Sequence, residues 1–401
     1  MNWARSSWTA NEDWLTTNLT QPILDAEAMP TEISLAFSAT YQEARHKFLQ
    51  AASAAGAQHT AWKHPLPGAD GEELALDAAL LDPAGGPSKP VKLLVVSSAC
   101  HGVEGYCGSG VQVQALRHPV LLKQAQKAGV ALLLLHGLNP YGFSHTRRVT
   151  HENVDLNRNF LDFSKMLPRN PAYVDLHLKL LPQHWPPKPV NVAKIMWYLG
   201  TRGMKAAQQA LSGGQYEVPD GLFFGGTSAT WSNATLREVL RHYGTGVAQL
   251  AWIDLHSGLG EKGACERTFA MRRGDVVGQA RARAWWDGGG ATPLKSLDDG
   301  SSVSAALTGL MWPCVYDECP ASEVTMMAME FGTVPKLQVL KALRGDHWLY
   351  QQQQKALPVA AELVAQIKKE LRDAFYVDTD LWKSQVVEQG VGAIAQAAMN
   401  M

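Results

Sequence analysis

Apolar positions along this chain of 401 residues follow two rhythms. Residues 33–56, ISLAFSATYQEARHKFLQAASAAG, space their apolar side chains for one amphipathic helix. ELALDAALLDP and then VKLLVVSSA predict strands, the second a continuous apolar run bounded by Pro90 and a glycine-rich turn. A helical stretch follows from Val103 to Lys127, and GVALLLLHGLNPYGF returns as a strand. Strand, helix and strand make a crossover unit, which implies a parallel pair with a right-handed connection. Two later runs, QLAWIDLHSG and VTMMAMEFGT, predict further strands, each leading through glycine into a helix. The tail beyond Lys336 is helical and interrupted at Pro358.

Between Phe160 and Gly226 the pattern is least regular, with PQHWPPKPVN and GGQYEVPDGLFFGG. Its tryptophan and phenylalanine content reads as an insertion, 161–226, packed on a core instead of a linker. The expected architecture is a single α/β domain over 1–401: a mixed, mostly parallel twisted sheet with helices on both faces. An N-terminal helix and strands occupy 1–90, the chemistry-bearing segment 92–333 and C-terminal helices 334–401.

Composition narrows the function classes. Apolar residues at 46% and charged residues at 18% mark a globular chain. With 36 Lys+Arg against 37 Asp+Glu there is no basic field for nucleic acid or an anionic membrane. MNWARSSWTANEDWLTTNLTQ has no continuous apolar stretch, so no signal peptide is expected, and no run is long enough to span a bilayer. The five cysteines are scattered without a CxxC, against a disulfide framework and in favour of reduced thiols and a cytoplasmic setting. Cys107, close to HGVEG, reads as a small buried thiol.

The chemistry gathers at strand ends. After VKLLVV comes His101-Gly-Val-Glu104; after VALLLL comes HGLNPYGFSHTRRVTHENVDLNRNF; after LAW comes IDLHSG with His256; after TMMAM comes Glu330. Open α/β sheets bind ligands outside the carboxyl ends of their strands, so distant clusters can meet there. Hydrolytic zinc takes three nitrogen or carboxylate donors and leaves a fourth position for water. His101 and Glu104, three apart at the start of a helical turn, can face one point, and His256 from a neighbouring strand is the best third donor. Asp254, two residues before His256, shares its strand face. Taken singly, each of these is an ordinary polar turn or strand-end residue.

Read in order, H-x-x-E, N-P-x-G, an arginine, V-D-L-N-R-N-F, D-L-H-S and a strand-end glutamate resemble the zinc carboxypeptidase family, carboxypeptidase A-like metallopeptidases, over residues 92–333. The set is similar to a bacterial branch of that family. The resemblance implies a zinc carboxypeptidase-like fold and one zinc ion held by His101, Glu104 and His256. It implies that Arg148, with Arg147 as the alternative, stabilises the oxyanion. Asn157 and Arg158 would grip a substrate's terminal carboxylate, a task suited to a guanidinium fork. Asp155 corresponds to the aspartate that orients the first histidine, and Glu330 to the general base. One departure stands out: the family's site-closing tyrosine has no counterpart in DDGSSVSAALTGLMW, where Tyr316 lies too close to the base, and Tyr216 is at most a stand-in.

The implied reaction is hydrolysis of an amide next to a free carboxylate, in a peptide or acyl-amino-acid substrate. Zinc would make hydroxide available near neutral pH, Glu330 would carry the proton to the leaving nitrogen, and Arg148 would meet the developing charge. Two other readings stay open. One is an N-acyl amino acid deacylase resembling the aspartoacylase and succinylglutamate desuccinylase branch; the other is a zinc-containing binding protein without catalysis. Trp285, Trp286 and the methionines of TMMAME read as core. His136, His145 and His151 lie near the motifs, and FFGGTSATWSN, with Trp231, is a candidate cleft wall.

Overall fold

A computed structural model of the chain describes residues 29–401 except 86–88, 288–292, 297–300, 303–305 and 321. The reading of residues 1–21 as lacking a leader lies outside them, as do parts of the tyrosine-free stretch 298–312. Among the described residues eight strands form one sheet: β1 (Gln58–Lys63), β2 (Ala75–Leu81), β3 (Lys92–Ser98), β4 (Val130–His136), β5 (Gln249–Gly258), β6 (Cys265–Phe269), β7 (Lys295–Ser296) and β8 (Glu323–Gly332). Their order is β1-β2-β4-β3-β5-β8-β6-β7. The four central strands β4, β3, β5 and β8 are mutually parallel, while β1, β2 and the β8–β6 junction are antiparallel.

The continuous apolar runs follow from burial on both faces. Leu94 and Val96 of β3, Leu132 and Leu134 of β4, and Met327 and Met329 of β8 join one core; Leu93, Val95, Leu133 and Met326 join the other. Helices Tyr41–Ala54, Gly105–Arg117 and Asp380–Asn400 contribute to the first core, and helices Trp231–Gly244 and Cys314–Glu318 to the second. The sheet is thus mixed and helix-covered on both faces, as the patterning predicts. Trp286, Met327 and Met329 are fully buried and Trp285 nearly so, in keeping with a core role.

Several expectations need correction. The helix expected over 33–56 is two, Met29–Ser34 and Tyr41–Ala54, because Thr40 caps the second by accepting from Glu43 N while the Glu43 carboxylate accepts from Ala39 N. The helix from Val103 to Lys127 breaks at His118, and Pro119 starts a new one. β5 leads into β6, not into a helix, and the edge strand β1 is polar and carries no apolar run to signal it. Residues 161–226 contain three helices, Pro171–Leu180, Pro189–Arg202 and Met204–Ser212. Pro171 and Pro189 occupy first-turn positions, where the missing N–H costs nothing, while Pro182, Pro186 and Pro187 lie in the connection between the first two helices. Tyr173, Leu176, Leu180 and Tyr198 from these helices are buried in the first core.

Candidate metal centre

The strand β3 ends at Ser98, and Ala99 follows with φ 58°, in the left-handed region that non-glycine residues seldom adopt. The chain then turns through Gly102–Glu104 into the helix Gly105–Arg117. Gly102 has no room for a side chain: a Cβ there would lie 2.0 Å from the carbonyl carbon of Gly142. That close approach lets Gly102 N donate to Arg148 O and Val103 N to Arg147 O, so the two motif segments are stitched together by backbone.

Across this turn, Nδ1 of His101 lies 2.7 Å from Glu104 Oε1, and Nδ1 of His256 lies 2.9 Å from Glu104 Oε2. Donor atoms of these three residues all fall within 4.8 Å of one another, and all three residues are buried. The far nitrogen of each imidazole meets an aspartate. His101 Nε2 is 3.2 Å from Asp155 Oδ1, and His256 Nε2 is 2.6 Å from Asp254 Oδ2. At His256 that is the arrangement expected when Nδ1 serves a cation, since an aspartate fixes the tautomer and aims the ring, whereas His101 Nε2 also has the Arg148 guanidinium closer by, at 2.8 Å. Two nitrogens and a carboxylate also match the donor chemistry of zinc, so the residues fit such an ion.

The two aspartates are themselves held. Asp155 opens a tight turn by accepting from Asn157 N, and its other oxygen accepts from Arg148 Nε at 3.1 Å. Asp254 accepts from Ser97 Oγ at 2.6 Å and from Trp312 Nε1 at 2.8 Å. A second trio, Cys100, Asp254 and His256, is equally close. There, however, the Asp254 oxygens are already taken, and burial holds the Cys100 thiol well above its ordinary pKa.

Electrostatics reflect the crowding of acids. Burial favours protonated Glu104, yet His101 and His256 outweigh it and hold its pKa well below the carboxylate range. Burial likewise opposes charge on Asp155, but Arg148 and then Arg158 prevail and keep it ionised. Burial also opposes charge on His256, and Asp254 and Glu104 overcome it, raising that imidazole well above its ordinary value. Glu330 goes the other way: burial, then the charge of Glu104, push it up to about 8. Glu330 pairs in register with His256 across β5 and β8, and its Oε1 accepts from Leu259 N at 2.8 Å.

The two neighbouring arginines part company. Arg148 lines the cavity over the centre, with Nη1 3.1 Å from Glu104 Oε1 and Nη2 2.8 Å from His101 Nε2. Arg147 points away, donating to Asp346 at 3.0 Å and stacking over Tyr350 at 4.1 Å. His101, Glu104, Arg148, Asn157, Arg158, His256 and Glu330 line one cavity of about 220 Å³. Arg158 is largely engaged, with Nε and Nη2 both donating to Ser212 O and Nη1 to Asn157 O. The Asn157 side-chain oxygen accepts from Met311 N.

Other positions separate clearly. His136, His145 and His151 do not line this cavity, nor do Tyr216 and Tyr316; the tyrosine that does is Tyr198, whose hydroxyl donates to Ala172 O. Tyr216 is buried and donates to Arg158 O at 2.7 Å. Of FFGGTSATWSN, Phe223 is in the wall, whereas Trp231 packs against the His64 ring at 4.7 Å. Cys107 is buried with a thiol held well above its ordinary pKa, first by burial. Trp312 and Ser97 were not singled out from sequence, for nothing short of the folded chain brings them to Asp254. Asp254 itself was signalled by its two-residue spacing from His256 on a strand.

Residues 37–389 match the family described as "Protein of unknown function (DUF2817)". No curated protein matches the chain significantly. Among solved structures, the carboxypeptidase A of Helicoverpa armigera is similar at 13% identity and TM-score 0.45, over 97% of this chain and 80% of that one. A metallo-carboxypeptidase from Burkholderia cenocepacia is similar at 9% identity and TM-score 0.41, over 89% and 68%. Bovine thrombin-activatable fibrinolysis inhibitor, solved with tick carboxypeptidase inhibitor, is similar at 10% identity and TM-score 0.40, over 88% and 98%.

Proposed function

The chain belongs to the DUF2817 family, and we propose that it is a zinc-dependent hydrolase cleaving an amide bond next to a free carboxylate, in the manner of a metallocarboxypeptidase. One observation carries the reading: the His101, Glu104 and His256 donors converge at a cavity that Glu330 and Arg148 also line. A zinc ion held by those three supplies Lewis acidity, which acidifies water and polarises a carbonyl.

The remaining work falls to the chain. Asp155 and Asp254 hold the two imidazoles so that Nδ1 of each faces the centre. Glu330 takes a proton from the attacking water and returns it to the leaving nitrogen. Arg148 offers N–H donors to the oxygen on which negative charge develops; such a donor is worth roughly 100- to 1,000-fold in rate. Arg147 has its guanidinium committed to Asp346, which favours Arg148 for this role. Asn157 and Arg158 are proposed to meet the substrate carboxylate.

A second reading is the N-acyl amino acid deacylase, which uses the same centre on the same amide beside a free carboxylate. Three of the five Arg158 N–H donors go to backbone carbonyls, which leaves fewer of them for the carboxylate that both substrate classes carry. A cytoplasmic setting accords with five unpaired, buried cysteines, and among the described residues no helix is long and apolar enough to cross a membrane.

Metal analysis of the purified protein, joined to assays of free-carboxylate peptides and acylated amino acids with and without chelator, tests the proposal. One zinc per chain and chelator-sensitive amide cleavage are expected. A zinc-loaded protein that cleaves neither substrate class would instead be a binding protein.

A further inference from the structure

The cavity continues well beyond the donor cluster. Its lining includes an aliphatic group, Leu176 and Leu180 of helix Pro171–Leu180, Leu199 of Pro189–Arg202, Leu211 of Met204–Ser212, and Leu340 and Leu343 of Lys336–Gln354, with Gln208, Ser212 and Lys336 on the same helices. Aromatic rings crowd the near end. Trp312 lies 6.2 Å from the His256 ring, the Arg148 guanidinium sits 5.4 Å from the Phe223 ring, and a Cβ on Gly258 would come 2.9 Å from Phe375. The lining therefore joins the polar donors, with aromatic rings close by, to a set of aliphatic side chains. At the rim Met204 and Leu337 are 63% and 60% exposed.

A cavity of about 220 Å³ is far more than a water needs, and apolar cavities do not hold water well. Its natural occupant is apolar and flexible enough to follow a wall drawn from four helices. An amino-acid side chain covers little of that wall while its own amide stays beside the donors, whereas an alkyl chain runs along it. The partly spent Arg158 points the same way, since less of the substrate's affinity is then left to its carboxylate.

We propose that the aliphatic half of this cavity binds the fatty acyl chain of an N-acyl amino acid whose amide lies beside His101, Glu104 and His256. The assignment rests on reading that cluster as the hydrolytic centre and names the group that confers selectivity there. Each methylene moved from water into the cavity raises affinity about three- to fourfold.

Binding read without turnover provides the test. Full-length, metal-depleted protein is titrated calorimetrically with N-acetyl-, N-octanoyl- and N-dodecanoyl-alanine. Affinity should rise by about tenfold or more from acetyl to octanoyl, and again to dodecanoyl. Leu340→Trp, which fills the aliphatic half, and Met204→Lys, at the exposed rim where folding is not at stake, should each reduce the dodecanoyl-over-acetyl preference by about tenfold. Equal affinities across the series, or tighter binding of a dipeptide ending in leucine or phenylalanine, overturn the assignment. If chain length governs binding but the zinc-loaded protein cleaves none of the series, the hydrolase reading falls while the cavity assignment stands. If the zinc-loaded protein cleaves acetyl-alanine freely and binding ignores chain length, the reverse holds.

Discussion

Asp254 and His256 stand two residues apart on β5, and the aspartate's Oδ2 lies 2.6 Å from the imidazole Nε2. Strand periodicity puts both side chains on one face, so the aspartate proposed to aim the imidazole comes from the same strand as the imidazole itself. Asp254→Asn should lower zinc affinity by about 10- to 100-fold, measured by competition with a chromogenic chelator. Unchanged affinity would mean that Asp254 only completes the buried hydrogen bonds with Ser97 and Trp312.

Glu330 sits in register with His256 on the adjacent strand but is not among the clustered donors. Glu330→Gln should cut kcat by about 100- to 10,000-fold while the protein still retains one zinc. An active variant removes Glu330 as the base; loss of zinc would make it a ligand.

The paired arginines divide by phenotype. Arg148→Ala should depress kcat by roughly 100- to 1,000-fold and, because it leaves buried Asp155 and Glu104 without this cation, lower Tm as well. Arg147→Ala leaves Asp346 with Lys368 as its remaining cationic partner and should cost about 3 kcal/mol of stability, seen as a lower denaturant midpoint. Swapped phenotypes would return the oxyanion role to Arg147.

Stability of the metal-depleted protein should fall as pH rises from about 7 to 8; at lower pH the histidines that burial shifts down, His136 and His347 to about 4 among them, act in the opposite direction. Glu330 is raised from 4.5 to about 8 and His256 is raised well above 6.5. In both cases the folded state holds protons that the unfolded state has released, and stability declines through the interval. Glu104 and Asp155 are shifted down, so their contribution is already complete in this window and is lost only in acid. Thermal melts across the range should show a falling Tm and a shallower slope in Glu330→Gln. A Tm that is flat or rises from about pH 7 to 8 contradicts the shifts of Glu330 and His256.

Much of this molecule was legible in one dimension because short-range physics writes it there. Runs buried on two faces must be continuously apolar, and β3, β4, β5 and β8 read so; polar residues at the ends of such runs mark the crevice, and His101, Glu104, His256 and Glu330 were found there. Even the break at Thr40 had a local signal in T-x-x-E, although helical periodicity on either side masked it. Tertiary structure alone decided the rest. Which arginine faces the donors depends on where Asp346 packs, almost 200 residues away in sequence; Trp312 reaches Asp254 only because the sheet brings its loop across β5. The aliphatic cavity wall, too, is shared among four helices, none of which encloses anything by itself. Periodicity records the environment each residue must face, whereas partnership between distant side chains is a property of the closed chain.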